Sequence, residues 1–270
     1  MQRRNPALHL RGVSRVSLCI LVGSRHDVPV SRARVLVVQP DASDPLCAFE
    51  GWLTEAGIVT TVVHAYAGEA VPADLDADGL IVLGGEMSSL DDAGFPWLED
   101  IRALMRRADE LGRPSLGICL GGQLMAQAFG GSTAVGSAGL EAGIVDIALR
   151  EESRSDQIFG TMPRRFRSAA LHGDMIADLP PGSVLLGESS PYPHQVFRVG
   201  ACSWGVQFHP EIDLATYDEW VDMDDASNPV NTERLHRGHA LFAQAESDVL
   251  KVNRLIAEGF ASAVIEGVAR

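Results

Sequence analysis

The chain has 270 residues, 46% of them apolar and 21% charged, with a formal charge of −14. That describes a globular chain long enough for one large α/β domain, with or without appendages. Seven arginines and one acid fall within residues 1–34, so the rest carries −20, a charge that repels phosphate backbones and argues against nucleic acid as a partner.

No apolar run approaches the roughly 18 residues of a bilayer span, so no membrane is expected. Cys19, Cys47, Cys119 and Cys202 lie far apart with no Cys-x-x-Cys pair, which speaks against a zinc knuckle and a disulfide framework. A reducing compartment suits such thiols, and the expected location is the cytoplasm.

Residues 1–33 are arginine-rich, with one apolar patch at Val16–Val22. They read as a flexible extension, or as a start assigned too early. A signal peptide cleaved near Ser31-Arg32-Ala33 is the weaker reading, since the patch is short and carries Ser17 and Cys19.

From Arg34 the elements alternate. Val35–Val38 reads as a buried strand, Pro45–Ala56 as a helix capped by Gly57, Ile58–Val63 as a β-branched strand and Gly79–Leu83 as another strand. A Gly84–Ser89 loop follows, then a helix over Phe95–Leu111 with apolar spacing at Leu98, Ile101, Leu104 and Met105. Such alternation predicts a parallel sheet covered on both faces, with ligands beyond the carboxyl ends of its strands.

Arg113–Gly131 is the organising stretch. An apolar run, Ser115–Ile118, ends at Cys119, and helix formers begin at Gln123. Gly117-Ile118-Cys119-Leu120-Gly121 is the thiol counterpart of a Gly-x-Ser-x-Gly nucleophile elbow, in which a strained turn presents its central side chain beside a helix N-terminus. That setting favours a thiolate and an oxyanion site made by the N–H groups of Leu120 and, from the neighbouring strand end, Gly85. The plain alternatives are a buried structural cysteine and an ordinary glycine turn.

Ser132–Gly205 contains short β-like runs (144–149, 166–171, 184–186, 195–199) and a helical patch near Asp156–Phe159, predicting a mixed or antiparallel extension of the sheet. Within it His172-Gly173-Asp174 closes a strand, with His172 either a second base or part of the pocket rim. Trp204–Glu211 reads as an alternating strand that delivers His209 at its end; Glu211, two residues on, points the same way and would fix the imidazole tautomer. A chance His-Pro-Glu turn is the plain alternative.

The tail from Ile212 reads as helical with a loop at Ser227-Asn228-Pro229. His236 and His239 lack a matching acidic motif and read as a solvated face rather than a metal site. Asp222, Asp224, Asn228 and Glu233 miss the EF-hand pattern at Ser227 and Ala226. Lys251 is the only lysine, so there is no Gly-x-x-x-x-Gly-Lys phosphate loop.

Together, the Cys119 elbow through Gln123, the Gly84-Gly85 loop, His172-Gly173-Asp174 and Trp204–Glu211 resemble class I glutamine amidotransferases, nearest to the free-standing relatives of the GMP synthase amidotransferase domain, over about residues 34–215. The resemblance implies a flavodoxin-like three-layer sandwich, with a mostly parallel central sheet, a mixed extension and C-terminal helices. It implies a Cys119–His209–Glu211 triad, oxyanion amides from Gly85 and Leu120, and substrate contacts from Gln123, with His172 and Asp174 also at the pocket. The implied reaction hydrolyses glutamine, or another γ-glutamyl compound, to glutamate and ammonia through a γ-glutamyl thioester, without a cofactor. The group commonly has Pro where this chain has Glu86, which would reshape the loop or favour a substrate with an amine. Only 59 residues follow Glu211, short of an ATP-using domain, so a separate ATP-dependent synthetase is the expected acceptor of ammonia. A γ-glutamyl peptide or amide hydrolase acting without a partner, and a non-catalytic binding protein of the same fold, are the alternatives.

Overall fold

The structure, a computed structural model, describes residues 32–269. The expectation for residues 1–33 therefore lies outside the described residues except at Arg32 and Ala33. Ala33 is already buried, and its carbonyl accepts from Val59 N–H.

Strands β1 (Arg34–Gln39), β2 (Val59–His64), β3 (Gly79–Val82) and β4 (Ser115–Ile118) alternate with helices α1 (Ala48–Glu55), α2 (Trp97–Glu110) and α3 (Leu120–Ala128). Then come β5 (Ser132–Val135), β6 (Glu141–Leu149), β7 (Arg165–His172), β8 (Asp174–Asp178), β9 (Val184–Glu188), β10 (Val196–Val199) and β11 (Ser203–Val206). Helices α4 (Leu214–Met223) and α5 (Pro229–Val268) close the chain. Among the described residues the main sheet has nine strands in the order β2-β1-β3-β4-β11-β10-β9-β6-β7. It is parallel from β2 to β11 and antiparallel from there on.

Successive strand residues point to opposite faces, and each face has its own core. Val35, Val37, Ile81, Leu83, Leu116 and Ile118 pack with Phe49 and Leu53 of α1 and Ile256, Phe260 and Val264 of α5. Val38, Leu80 and Val82 pack instead with Leu98, Ile101 and Leu104 of α2 and Leu124 of α3. This is the helix, sheet, helix sandwich expected, and β3, β4 and β11 are buried throughout because both their faces are covered. Helix α5 starts with Pro229 after Asn228, whose side chain accepts from Val230 and Asn231 N–H. Its Gly238 lets it lie on β6 at Gly143, where a Cβ would stand 2.5 Å from the opposing Cα.

Several expectations need correction. Helix α1 begins at Ala48 rather than Pro45, because Cys47 before it has φ 45°. The helical patch expected at Asp156–Phe159 is instead a plain turn, preceded by a 3₁₀ turn at Glu151–Ser155. Asp156 itself is engaged by Ile158 and Phe159 N–H and by the Trp204 indole. Strand β11 does not alternate, being buried on both faces, and it stops at Val206. The pairing of β5 with β8 as a small antiparallel sheet was not foreseen.

Candidate active site

Strands β3, β4 and β11 end side by side, and the loops after them converge. Cys119 follows β4 with φ 50° and ψ −107°, a region that costs a non-glycine residue of order 1–3 kcal/mol and persists only where the surroundings impose it. Here they do. The Cys119 N–H donates to the Val206 carbonyl at 2.9 Å, while its carbonyl accepts from Gln123 N–H at 3.0 Å and so starts α3. The flanking glycines admit no side chain: a Cβ on Gly117 would overlap the Gly121 carbonyl, one on Gly121 the Val82 carbonyl, and one on Gly122 would stand 2.5 Å from the Val206 oxygen.

His209 lies three residues beyond β11, in an isolated antiparallel bridge to Ala169 rather than in the strand itself. Its backbone is fixed from β7, with its N–H donating to the Ala169 carbonyl at 2.8 Å and its carbonyl accepting from Ser168 Oγ at 3.2 Å. His209 Nδ1 meets Glu211 Oε1 at 2.8 Å, both residues being buried. That bond places the hydrogen on Nδ1 and leaves Nε2 for chemistry. Burial pulls the imidazole pKa down, but the charges of Glu211 and Cys119 outweigh it and raise the value well above the ordinary one. The Cys119 sulfur lies 3.8 Å from the Leu171 carbonyl oxygen and 3.9 Å from Gln207 Nε2.

The Gly84-Gly85 turn stands next to the elbow, as neighbouring strands require. A Cβ on Gly85 would lie 3.1 Å from Leu120 Cδ2. Neither the Gly85 nor the Leu120 amide finds an acceptor among the described residues. Gln123 is buried and donates to the Asp174 carbonyl at 3.2 Å. His172 has both nitrogens engaged, Nδ1 with the Asp174 carbonyl and Nε2 with Glu141, each at 2.8 Å. It is placed as wall, with no nitrogen left for a second base. Asp174 accepts from Ser88 Oγ at 2.6 Å and ties the glycine loop to β8.

Gly85, Cys119, Leu120, Gln123, His172, Asp174 and His209 border one cavity of about 480 Å³, with Glu211 buried behind His209, within the roughly 300–1,000 Å³ span of ligand pockets. The structure adds residues that the sequence reading missed. Glu141 orients His172 from the opposing register position of β6. Trp220 of α4 sets its ring edge on His209, centroids 4.9 Å apart. Asp44, in the loop after β1, is buried beside His209, and burial together with Glu211 pushes its carboxyl up to about 7 against the opposing pull of His209. The signal for Asp44 was available: the loop after β1 also leaves a carboxyl end of the sheet.

Cys47 has almost the same backbone as Cys119, with φ 45° and ψ −128°. Its thiol instead meets Thr216 Oγ1 at 3.0 Å, and burial pushes it up to about 12. His236 is exposed and His239 pairs with Asp218. Among the described residues no group of His, Cys, Asp and Glu is arranged to hold a metal, and no helix is long and apolar enough to cross a membrane.

A family model described as glutamine amidotransferase class-I matches residues 52–222. One subunit of the glutamine-hydrolysing GMP synthase of Pyrococcus abyssi is 35% identical over 139 residues, 51% of this chain and 68% of that protein. Gamma-glutamyl peptidase 5 of Arabidopsis thaliana is 29% identical over 154 residues, 55% of this chain and 60% of that one. The crystal structure of a glutamine amidotransferase from Thermotoga maritima superimposes with a TM-score of 0.74 at 24% identity, covering 85% of this chain and 98% of that one. That likeness is one of fold, and it carries the flavodoxin-like sandwich expected above.

Proposed function

The chain belongs to the class I glutamine amidotransferases, and on that premise we propose that it hydrolyses the side-chain amide of glutamine with Cys119 as nucleophile, His209 as acid and base, and Glu211 as the carboxylate that holds His209. The observation that carries this reading is the strained Cys119 turn set beside a buried imidazole already bonded to a carboxylate. The thiolate attacks the amide carbon, and the resulting oxyanion is received by the free N–H groups of Gly85 and Leu120. The carbon–nitrogen bond breaks as His209 gives its proton to the leaving nitrogen, which departs as ammonia. Water then yields a proton to His209 and adds to the γ-glutamyl thioester, the carbon–sulfur bond breaks, and glutamate leaves. Gln123 and the wall built from His172 and Asp174 bound the glutamyl half.

The ammonia would pass to a separate ATP-dependent synthetase, a reading supported by the relative named as one subunit of a GMP synthase. A reducing cytoplasm would keep Cys119 available. The test is ammonia release from glutamine by the purified chain, with Cys119→Ala as control and with a co-purifying synthetase added. Release that the substitution abolishes supports the thioester route, and release that survives it sinks the route. Stimulation by the synthetase and ATP supports the partner.

A second reading keeps the same chemistry but lets the amine half be larger than ammonia, with no partner. The acidic cavity favours it, as does the similarity to a protein named as a gamma-glutamyl peptidase.

A further inference from the structure

The cavity at Cys119 is lined by five carboxylic residues, Asp44, Glu86, Asp174, Asp224 and Asp225, and by no lysine or arginine. Two of these lack a hydrogen-bond donor among the described residues, one in a buried residue and one in a partly exposed one. Asp44 is 5% exposed, and its carboxyl finds no hydrogen-bond donor among the described residues. Asp224 buries its Oδ2 without a partner. Leaving a buried acceptor unsatisfied costs about 1–3 kcal/mol, and more when it is charged. A ligand that brings donors and positive charge to this cavity would relieve both.

Geometry says which half of a substrate they face. A Cβ on Gly84 would stand 2.8 Å from His209 Cε1 and 3.2 Å from Asp44 Oδ2, so carboxyl and imidazole lie within about 6 Å of each other. His209 Nδ1 is committed to Glu211, so the departing amine takes its proton from the other nitrogen. Asp44 follows β1, on the opposite side of β4 in the sheet order from β7 and its His172, which with Asp174 bounds the glutamyl half, and so borders the amine half. From His209 the wall continues along α4 through Trp220 to Met223, half exposed at 51%, and then to Asp224. An indole and a thioether followed by a carboxylate match a methylene chain that ends in an ammonium.

Resting on the Cys119 chemistry above, we propose that the cavity takes γ-glutamyl amides whose amine half is an aliphatic diamine or polyamine. The chain lies along Trp220 and Met223, and the free ammonium supplies the donors that Asp44 and Asp224 lack. The atoms balance as for glutamine: Cys119 displaces the amine, which leaves with the His209 proton, and water releases glutamate from the thioester.

The test compares initial rates of the purified full chain on three amides of matched length and on glutamine. The three are mono-γ-glutamyl-1,4-diaminobutane, γ-glutamylpentylamide and γ-glutamyl-4-aminobutyrate. The diamine derivative should exceed the neutral amide at least tenfold in kcat/KM and the anionic one at least a hundredfold. The ratio of diamine to pentylamide should fall toward one in Asp44→Asn and in Asp224→Asn. Equal rates on the diamine and pentyl compounds, or a ratio unmoved in both variants, would overturn the proposal. Hydrolysis of glutamine alone would overturn it while leaving the Cys119 reading intact. Inertness toward every amide, with Cys119 unlabelled by a glutamine-mimicking electrophile, would overturn both.

Discussion

Replacing Asp44 by Asn should make the protein more stable, and increasingly so as the pH rises. In the fold the Asp44 carboxyl titrates near 7 against an ordinary 3.8, chiefly because it is buried. Below pH 3.8 the carboxyl is protonated in both states and costs nothing. Between 3.8 and 7 the unfolded chain releases a proton that the folded chain keeps, and folding loses about 1.4 kcal/mol per pH unit. Above 7 the loss is complete, at about 4 kcal/mol. Asn has the same shape and no charge, so it removes this dependence and adds only a constant offset from its own amide. The advantage of Asn over Asp should therefore widen by about 2 kcal/mol between pH 5.5 and pH 8.5, read from urea unfolding of both proteins at each pH. A gap that stays constant across that window would refute the assignment of a buried, unpartnered carboxyl to Asp44.

Other consequences can be read separately. Gly121→Ala would drive a methyl group into the Val82 carbonyl; we expect at least 1–3 kcal/mol of destabilisation in thermal or urea unfolding, and a loss within 0.5 kcal/mol would show that the elbow can relax. Glu211→Gln removes the strongest support of the His209 charge, so burial should lower the imidazole pKa. Glutamine hydrolysis should fall by about 10²–10⁴-fold, with the alkaline limb of its pH profile moving to lower pH, and an unmoved limb would count against the pairing. An iodoacetamide time course at pH 8, read by peptide mass, should label Cys119 well before Cys47, whose thiol is pushed up to about 12. The reverse order would contradict the environments described for the two thiols.

The parts of the molecule governed by local rules were readable in advance. The elbow was legible because a strand, one cysteine and two flanking glycines leave few other backbones for that stretch, and the structure places its boundaries at Ile118 and Leu120. His209 and Glu211 were legible through their two-residue spacing, although the bend that aims them is held from β7 by Ala169 and Ser168, which nothing in Trp204–Glu211 announces. Glu141 escaped notice because its meeting with His172 depends on the register of β6 against β7. For Asp44 the sequence offered only its place in a loop at a carboxyl end of the sheet, and its neighbour His209 comes from the far side of the sequence. The small sheet of β5 and β8 has a weakly apolar Ser-Thr-Ala-Val strand as one of its two members, too short for periodicity to reveal.

The pairing of β4 with β11 also carries a consequence for how the enzyme comes into being. Ser115 and Ser203, bonded across that pair, are 88 positions apart. Contacts so distant in sequence close slowly and late. At a synthesis rate of roughly 5–20 residues per second, His209 follows Cys119 out of the ribosome by on the order of 5–20 s. Throughout that interval the Val206 carbonyl, which secures the strained Cys119 amide, is missing as well. The nascent chain thus carries a cysteine on relaxed backbone, and the strained turn at Cys119 comes into existence only when the sheet closes.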